Sequence, residues 1–302
     1  TSKHGQHNMK ERWRPSQGLW RDGMWTIVKK TELSPGVKLF WVKAPLIARK
    51  CKPGQFIILR INEDGERIPL TIADTDLDAG TIALVFQEVG CSTRHLGRLE
   101  EGDVLLDLAG PLGKPSHIDN FGTVVCVGGG IGVAPLYPIT RAYKNAGNKV
   151  ISIIGARTAD LLIMEKEMAA YSDEIYVTTD DGSYGIKGRV TDPLMEVLAR
   201  EKNIGEIMAI GPVIMMKSVA EATRPSGIHT VVSLNPIMVD GTGMCGCCRV
   251  SVGEENKFAC VDGPEFDGHK VDFDGLMIRQ RMYREEEAQE AGGGECKCQN
   301  DR

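Results

Sequence analysis

The run Thr123-Val-Val-Cys-Val-Gly-Gly-Gly-Ile-Gly132 places a cluster of glycines directly after five apolar or β-branched residues. A continuous run of this kind is typical of a parallel strand buried on both faces. Glycines between such a strand and a helix let a pyrophosphate approach the backbone, and the helix N-terminus offers free N–H groups to the anion. We therefore predict a dinucleotide site at these glycines, with a purely structural turn as the alternative. The glycines concerned are Gly128, Gly129, Gly130 and Gly132.

After this loop, strands alternate with helices, which is the pattern of a doubly wound α/β domain with a parallel sheet. We expect strands over residues 150–154, 175–178 and 207–211, and helices over residues 133–145, 161–171 and 189–200. Turn-forming residues follow three of these strands, at the carboxyl ends where ligands bind in such a sheet. They are Gly155-Ala-Arg157, residues 179–183 and Gly211-Pro212. Arg157 could hold the 2′-phosphate of NADP, but the same residues also suit an NAD site.

The part of the chain before this domain has the spacing of an antiparallel β structure. From Met24 to about Pro115, short β-rich runs are separated by Pro-Gly, Asp-Gly and Gly-Asp turn signals. We expect strands over residues 25–28, 37–42, 55–61, 81–86 and 104–108. This spacing predicts a small β-barrel or sandwich.

A cysteine-rich segment near the C-terminus has the most specific spacing in the chain. Cys245 and Cys248 form a Cys-x-x-Cys pair, and Cys260 follows after eleven residues. A plant-type [2Fe–2S] loop uses Cys-x4-Cys-x2-Cys and a distant cysteine, and Asp240 stands where the first cysteine is missing. We therefore predict a [2Fe–2S] cluster bound by these three cysteines and the Asp240 carboxylate. Cys247 is the alternative fourth ligand, and zinc is the competing metal, although no suitably spaced histidine completes a zinc site.

The totals exclude several classes of protein. A formal net charge of −5 over 302 residues gives no basic surface for nucleic acid, and no run of about 18 apolar residues predicts a membrane span. The N-terminus shows no apolar secretory segment, and clustered thiols suit a reducing compartment. We therefore expect a cytoplasmic protein.

The barrel, the glycine loop and the cysteine segment, in this order, resemble the ferredoxin–NADP reductase superfamily, in its branch with a C-terminal [2Fe–2S] domain. That branch includes the electron-transfer subunits of type B dihydroorotate dehydrogenase. It also includes the small subunits of NADH-dependent reduced ferredoxin:NADP oxidoreductases, also called sulfide dehydrogenase subunits, which the chain resembles more closely. The segments that carry this closer resemblance are Asp240-Gly-Thr-Gly-Met-Cys-Gly-Cys-Cys-Arg249 and Phe258-Ala-Cys-Val-Asp-Gly-Pro-Glu-Phe-Asp-Gly268.

The resemblance covers about residues 24–286 and implies the domain order. We expect a polar N-terminal extension (1–23), an FAD-binding β-barrel (24–118), an NAD(P)-binding α/β domain (119–227), a [2Fe–2S] domain with a C-terminal helix over residues 276–290 (228–286), and a flexible tail (287–302).

An FAD site on the barrel is also implied by the resemblance. The segment Arg67-Ile-Pro-Leu-Thr71 is similar to the flavin-binding motif of the superfamily. Pro69 and Thr71 would contact the isoalloxazine and ribityl region, and Arg67 a phosphate or ring oxygen. Leu70 stands where many members have a stacking aromatic residue.

The resemblance implies further contacts with both nucleotides. Gly90-Cys-Ser-Thr-Arg94 is similar to the segment that cradles the FAD pyrophosphate, through Gly90, Ser92 and Thr93. The implied contacts with the nicotinamide dinucleotide are Gly128, Gly129, Gly130, Gly132, Ala134, Pro135, Arg157, Asp181, Gly182, Gly211 and Pro212.

Flavin chemistry gives the expected mechanism. NAD(P)H delivers two electrons as hydride to the flavin, and the cluster accepts one electron at a time, so no protein side chain is needed as an acid or base. The implied partner is a larger flavin and [4Fe–4S] subunit, and together they would perform electron bifurcation linking NADH, NADPH and ferredoxin. The alternatives are the same module in a hydrogenase-linked complex or in dihydroorotate dehydrogenase, and a regulatory protein without redox centres.

Overall fold

A computed structural model describes residues 25–283 of the chain. The expected N-terminal extension (1–23) and C-terminal tail (287–302) therefore lie outside the described residues. Within the described range the chain forms sheets of six, seven and two strands. None of the helices in this range combines the length with the hydrophobicity of a membrane-spanning segment.

The first sheet is antiparallel and carries two helices. Its elements are β1 (Ile27–Ser34), β2 (Val37–Lys43), α1 (Pro45–Lys50), β3 (Phe56–Arg60), β4 (Ile68–Asp76), β5 (Thr81–Gln87), α2 (Cys91–Arg98) and β6 (Asp107–Leu112). The strand order is β1-β2-β5-β4-β3-β6, and a bridge between Thr26 and Val104 joins the two edges. The interior is filled by large side chains such as Phe40 and Phe86, whose rings meet edge to face at 5.0 Å. The predicted β-barrel is confirmed.

The second sheet is parallel except at one edge. Its elements are β7 (Thr123–Gly129), α3 (Val133–Asn145), β8 (Lys149–Ala156), α4 (Glu165–Ala169), β9 (Glu174–Thr179), β10 (Ile186–Lys187), α5 (Thr191–Arg200), β11 (Ile204–Ile210), α6 (Val213–Thr223) and β12 (Thr230–Ser233). Every residue of β7 is buried, as its apolar run predicts. The order β10-β9-β8-β7-β11-β12 means that the chain builds outward on one side of β7 and then continues on the other. The crevice between β7 and β11 is therefore the topological switch point, where ligands bind in such sheets.

The cysteine-rich part extends the second sheet. Its elements are β13 (Arg249–Val252), β14 (Glu255–Phe258), β15 (Glu265–Asp267) and α7 (Phe273–Gln280). Strands β13 and β14 form a hairpin, and β15 pairs antiparallel with β12 as the seventh strand of the second sheet. The backbone N–H of Lys114, just after the barrel, donates to the carbonyl of Gly263 at 2.7 Å. The cysteine-rich part thus contacts both larger units.

Hydrophobic clusters run across the boundaries between these three parts. Val85 of the barrel lies in the same buried cluster as Leu136 of α3. Phe56 of the barrel shares another cluster with Cys248 and Cys260. Because close-packed interiors resist relative displacement, these shared clusters fix how the three parts are placed.

Two expected helices differ from the structure in length. The helix predicted over residues 161–171 is wrong in extent, because only α4 forms. Met164 has a φ of 55°, a left-handed conformation that an α-helix cannot contain. The helix predicted over residues 276–290 begins earlier, as α7, because the Asp272 side chain accepts a hydrogen bond from the backbone N–H of Gly275 and caps the first turn.

A carboxyl group lies in the contact between β15 and the barrel. Glu265 accepts a hydrogen bond from the hydroxyl of Ser116 at 2.5 Å, and both groups lie so close to Gly54 that a Cβ there would collide with them. Burial, with a smaller contribution from Glu206, raises the pKa of Glu265 from its ordinary value of 4.5 to about 7.

We expect Glu265→Gln to stabilise the protein above pH 7. Between about pH 4.5 and pH 7 the folded protein holds a proton that the unfolded chain has lost, so the stability of the wild type falls as the pH rises through this window. At about 1.4 kcal/mol per pKa unit, the variant gains at most about 3 kcal/mol at neutral pH and loses this pH dependence. Urea unfolding at a series of pH values measures both effects. Glu196→Gln, on the exposed side of α5, is the control, and equal pH profiles for wild type and Glu265→Gln would contradict the prediction.

Candidate functional site

A cavity of about 860 Å³ opens between the barrel and the carboxyl ends of the parallel strands. The barrel wall includes Pro69, Leu70 and Thr71, all from β4. The opposite wall includes eight of the residues predicted to contact the dinucleotide, namely Gly129, Gly130, Gly132, Ala134, Pro135, Arg157, Gly211 and Pro212. Residues that the sequence assigned to two different nucleotides therefore face one another across a single cavity.

The glycine loop is built by close approach of backbone to backbone. A Cβ on Gly132 would lie 2.7 Å from the Cα of Gly211 and even closer to the carbonyl oxygen of Ile210. Only glycine allows the loop after β7 to lie this close to the end of β11. The loop then leads through one 3₁₀ turn into α3, whose first turn faces the crevice.

Seven predicted contact residues do not line this cavity, namely Arg67, Gly90, Ser92, Thr93, Gly128, Asp181 and Gly182. Gly128 lies beneath the loop, against the first turn of α3. The Asp181 carboxylate accepts hydrogen bonds from the hydroxyl and the backbone N–H of Ser183, and these bonds lower its pKa. Its neighbour Asp180 lines the cavity instead.

The segment predicted to cradle the FAD pyrophosphate forms the N-terminus of α2. The hydroxyl of Thr93 accepts a hydrogen bond from the backbone N–H of Gly90 at 3.0 Å, which caps the helix. The hydroxyl of Ser92 donates to the carboxylate of Glu66. The pyrophosphate contact at Ser92 and Thr93 stays a prediction.

The predicted cluster ligands come together around the ligand loop, defined here as residues 239–248. The sulfur atoms of Cys248 and Cys260 lie 3.2 Å apart, and both side chains are buried. One carboxylate oxygen of Asp240 accepts from the backbone N–H of Cys245 at 2.8 Å, and the other from that of Thr242 at 2.8 Å. The four ligands therefore fall into two pairs, Cys248 with Cys260 and Asp240 with Cys245.

This arrangement fits a two-iron cluster better than a single ion. In the described part of the chain, no group of three or more His, Cys, Asp or Glu side chains converges in a way that would hold one metal ion. A [2Fe–2S] cluster does not need such a group, because each iron takes only two protein ligands. Two neighbouring pairs of ligands satisfy that requirement.

The acidity of the ligands follows their surroundings. Burial raises the pKa of the Cys260 thiol to about 12, whereas the hydrogen bond from the backbone of Thr242 lowers the pKa of the Asp240 carboxyl. A buried thiol with a raised pKa becomes a thiolate when a metal cation neutralises it. A donor set of three thiols and one carboxylate suits iron, since carboxylate oxygen is a harder ligand than sulfur.

No role is predicted from the sequence for the segment that connects the cavity to the ligand loop. Residues 233–238 begin at the last residue of β12, and most of them line the cavity, including Asn235 and Met238. The side chain of Gln280 in α7 holds this segment by donating to the carbonyl of Asn235 at 2.8 Å. Arg189, which also lines the cavity, is not predicted as a contact residue either. No motif marks these residues, which reach the cavity only through the tertiary fold.

Comparison with known proteins identifies two parts of the chain. Residues 126–221 match the oxidoreductase NAD-binding domain. Residues 235–272 match the iron–sulfur cluster binding domain of dihydroorotate dehydrogenase B, and this range contains all four predicted cluster ligands.

Two relatives decide the family. The electron transfer subunit homolog of dihydroorotate dehydrogenase B (NAD(+)) from Thermotoga maritima is 52% identical over 261 residues, covering 86% of this chain and 92% of the relative. The electron transfer subunit of dihydroorotate dehydrogenase B (NAD(+)) from Geobacillus thermodenitrificans is 32% identical over 255 residues, covering 82% and 96%. The chain belongs to the family of dihydroorotate dehydrogenase B electron-transfer subunits.

A solved structure of the NADH-dependent reduced ferredoxin-NADP oxidoreductase, from a study of flavin-based electron bifurcation, is also similar to this electron-transfer subunit. It is 50% identical, with a TM-score of 0.84, over 89% of this chain and 97% of that one. The resemblance drawn from the sequence is therefore confirmed, as is the prediction of an oxidoreductase subunit with a nicotinamide-nucleotide domain and an iron–sulfur domain.

Proposed function

We propose that this electron-transfer subunit passes electrons between NAD(H), FAD and a [2Fe–2S] cluster, within a flavin-based electron-bifurcating ferredoxin:NAD(P) oxidoreductase complex. The observation that carries the proposal is the shared cavity, because the flavin motif and the nucleotide loop face each other across it. Residues 233–238 then lead from this cavity directly to the ligand loop.

FAD fits the barrel wall of the cavity. Pro69, Leu70 and Thr71 would hold the ring and the ribityl chain, and the N-terminus of α2 with Gly90, Ser92 and Thr93 would face the pyrophosphate. When bound, FAD supplies the conversion between two-electron hydride chemistry and one-electron chemistry. The chain itself supplies orientation and exclusion of water, through apolar lining residues such as Phe56 and Val85.

The glycine loop and the ends of β8 and β11 would hold the dinucleotide. We propose NAD(H), because the names of both family relatives specify NAD(+). Arg157 and Arg189 at the cavity rim are the groups that a 2′-phosphate would contact, so NADP(H) is the alternative. Asp181 and Gly182 belong to the turn after β9, one and two residues beyond the cavity wall at Asp180.

In the cluster, we propose that Cys248 and Cys260 bind one iron, and Asp240 and Cys245 the other. The 3.2 Å separation of the two buried sulfurs supports the first pair, because two thiols this close together would be able to bind the same metal.

The electron-bifurcating complex is favoured by the 50% identity to the ferredoxin-NADP oxidoreductase structure. A larger flavin and [4Fe–4S] subunit is then the partner, with ferredoxin as an indirect partner and a cytoplasmic location. The domain boundaries expected from the sequence (24–118, 119–227 and 228–286) are part of this proposal. The second candidate is the electron-transfer role in a dihydroorotate dehydrogenase, favoured by the iron–sulfur domain match and the Geobacillus thermodenitrificans relative.

An ion pair joins α3 to β4, two elements that line opposite walls of the cavity. Arg141 of α3 lies 2.6 Å from the carboxylate of Asp74 in β4, and each side chain is only about a quarter exposed, at 28% and 25%. The guanidinium also stacks 5.1 Å from the centre of the Tyr137 ring. Strand β4 carries the flavin motif, and α3 follows the glycine loop.

We expect Arg141→Met to slow the reduction of bound flavin by NADH about tenfold without releasing the flavin, because small misplacements of reacting groups lower rates strongly. Stopped-flow absorbance of the flavin measures the rate. Arg200→Met is the matched control, since its ion pair with Glu174 at 2.6 Å lies wholly within the nucleotide domain. An unchanged rate in Arg141→Met would show that packing alone aligns the two walls.

The proposed function is tested by measuring iron, acid-labile sulfide and flavin per chain after anaerobic purification. About two irons, two sulfides and one FAD are expected. Flavin without iron would overturn the cluster assignment, and absence of both would leave only the fold.

Mass spectrometry of natively copurifying proteins distinguishes the two candidate complexes. Copurification of a larger flavin and [4Fe–4S] subunit supports the bifurcating complex. A dihydroorotate-oxidising subunit supports the second candidate, and only unrelated proteins would count against both.

A further inference from the structure

Arg67 lies at the contact between the barrel and the ligand loop. It directly precedes β4, yet it is absent from the cavity wall that Pro69, Leu70 and Thr71 form. Its Nε donates a hydrogen bond to the carbonyl oxygen of Val239 at 2.8 Å. Val239 is the residue before the predicted ligand Asp240, so a residue of the predicted flavin motif contacts the ligand loop.

A second barrel residue holds the guanidinium in place. The Nη1 of Arg67 lies 3.6 Å from the carboxylate of Asp107 at the start of β6. Nε donates a hydrogen bond to the ligand loop while Nη1 forms an ion pair with β6, so the planar guanidinium contacts both at once. The Arg67 side chain is 31% exposed, which leaves it less screened than a free surface side chain.

The residue after Asp240 packs against the same face of the barrel. Gly241, with a φ of +77°, lies so close to β3 and β6 that an added Cβ would be 2.7 Å from the side chains of both Ile58 and Leu112. The backbone on both sides of Asp240 is therefore attached to the barrel, by a hydrogen bond on one side and by close packing on the other.

We propose that Arg67 is a positioning residue that fastens the ligand loop to the flavin barrel, and does not bind a phosphate or ring oxygen of the flavin. It fixes the separation and orientation of the cluster relative to the flavin, because Arg67 directly precedes β4, the strand that carries the proposed flavin contacts. Electron transfer between the two centres depends on that placement. This inference rests on the function proposed above.

The test is Arg67→Met, which keeps the aliphatic stem and removes both polar contacts. Three quantities are measured on the anaerobically purified holoprotein: FAD content, amide hydrogen exchange in residues 238–248, and the rate of flavin-to-cluster electron transfer by stopped flow. We expect unchanged FAD content, about tenfold faster exchange in the ligand loop and slower electron transfer, since a hydrogen bond from a charged donor is lost. Arg60→Met is the matched control, because Arg60 donates to the carbonyls of Glu63 and Gly65 within the barrel and not to the ligand loop.

Loss of FAD with unchanged loop exchange would overturn the inference, because Arg67 would then be a flavin ligand. Wild-type values for all three quantities would overturn it as well. Should Arg67→Met fail to fold, Arg67→Lys decides in the same way, since one ammonium cannot reach Val239 and Asp107 with the geometry of a guanidinium. A wild-type protein without iron would refute the proposed function, yet the exchange measurement would still decide whether Arg67 holds the loop.

Discussion

Replacing Cys248 with alanine is expected to remove most of the iron and sulfide while leaving the FAD and its reduction by NADH in place. Cys248 is 1% exposed, and its sulfur lies 3.2 Å from the sulfur of Cys260. In the proposed pairing, loss of this thiol would leave one iron with a single protein ligand. Cys248 is not part of the cavity wall, and hydride transfer there does not need the cluster. The rate of electron delivery to a one-electron acceptor should fall strongly. Loss of a residue that only hydrogen-bonds to a metal ligand costs roughly 10–100-fold in activity, and loss of a ligand itself should cost more.

Iron and sulfide assays, the visible spectrum and stopped-flow flavin reduction measure the outcome for Cys248→Ala. Cys247→Ala is the matched control, because Cys247 is the neighbouring thiol and is itself partly buried, although less so than Cys248. We expect it to keep its cluster. Loss of iron in Cys247→Ala with retention in Asp240→Ala would show that Cys247, and not the carboxylate, is the fourth ligand.

The sequence predicts those parts of the fold and the site whose signal lies within one short segment. The apolar run before Gly128 becomes the fully buried β7, and the glycine spacing places a loop at the switch point of the sheet. The spacing of Asp240, Cys245 and Cys248 predicts a ligand loop, because few other constraints impose that pattern on neighbouring residues. In both cases the signal lies within a short segment.

The remaining features depend on contacts between distant segments. The strand predicted over residues 104–108 is displaced to β6, because Val104 is used to close the barrel opposite Thr26. Strand β4 is not predicted from the sequence, because it contains Pro69, and proline is unusual inside a strand. Most of residues 233–238 line the cavity only because β12 ends beside it. Arg67 was assigned to the flavin from its motif, whereas its partner Val239 is 172 residues away in the chain.

Gly132→Ala is expected to reduce NADH-dependent flavin reduction about 100-fold, since displacements of about 1 Å at a reacting site have effects of this size. The added methyl would meet backbone atoms of Ile210 and Gly211, which cannot rotate away as a side chain can. The loop after β7 must therefore move away from β11, and the crevice that holds the dinucleotide changes shape. The free energy of unfolding should fall by about 1–3 kcal/mol, as for other overpacked sites.

A control variant at a second glycine of the same domain distinguishes an effect on stability from an effect on nucleotide binding. Gly227 has a φ of +64° and no heavy atom within 4 Å of an added Cβ, so Gly227→Ala strains the backbone without moving a neighbour. That variant should lose about 1–2 kcal/mol of stability, the cost of a left-handed conformation for alanine. It should keep the wild-type rate of flavin reduction.

The rates of the two variants are compared at equal folded fraction. If both variants reduce the flavin at the same rate, Gly132 serves only the packing of β7 against β11, and the dinucleotide does not approach the loop there. A large rate difference at similar stability locates the dinucleotide at the switch point between these two strands.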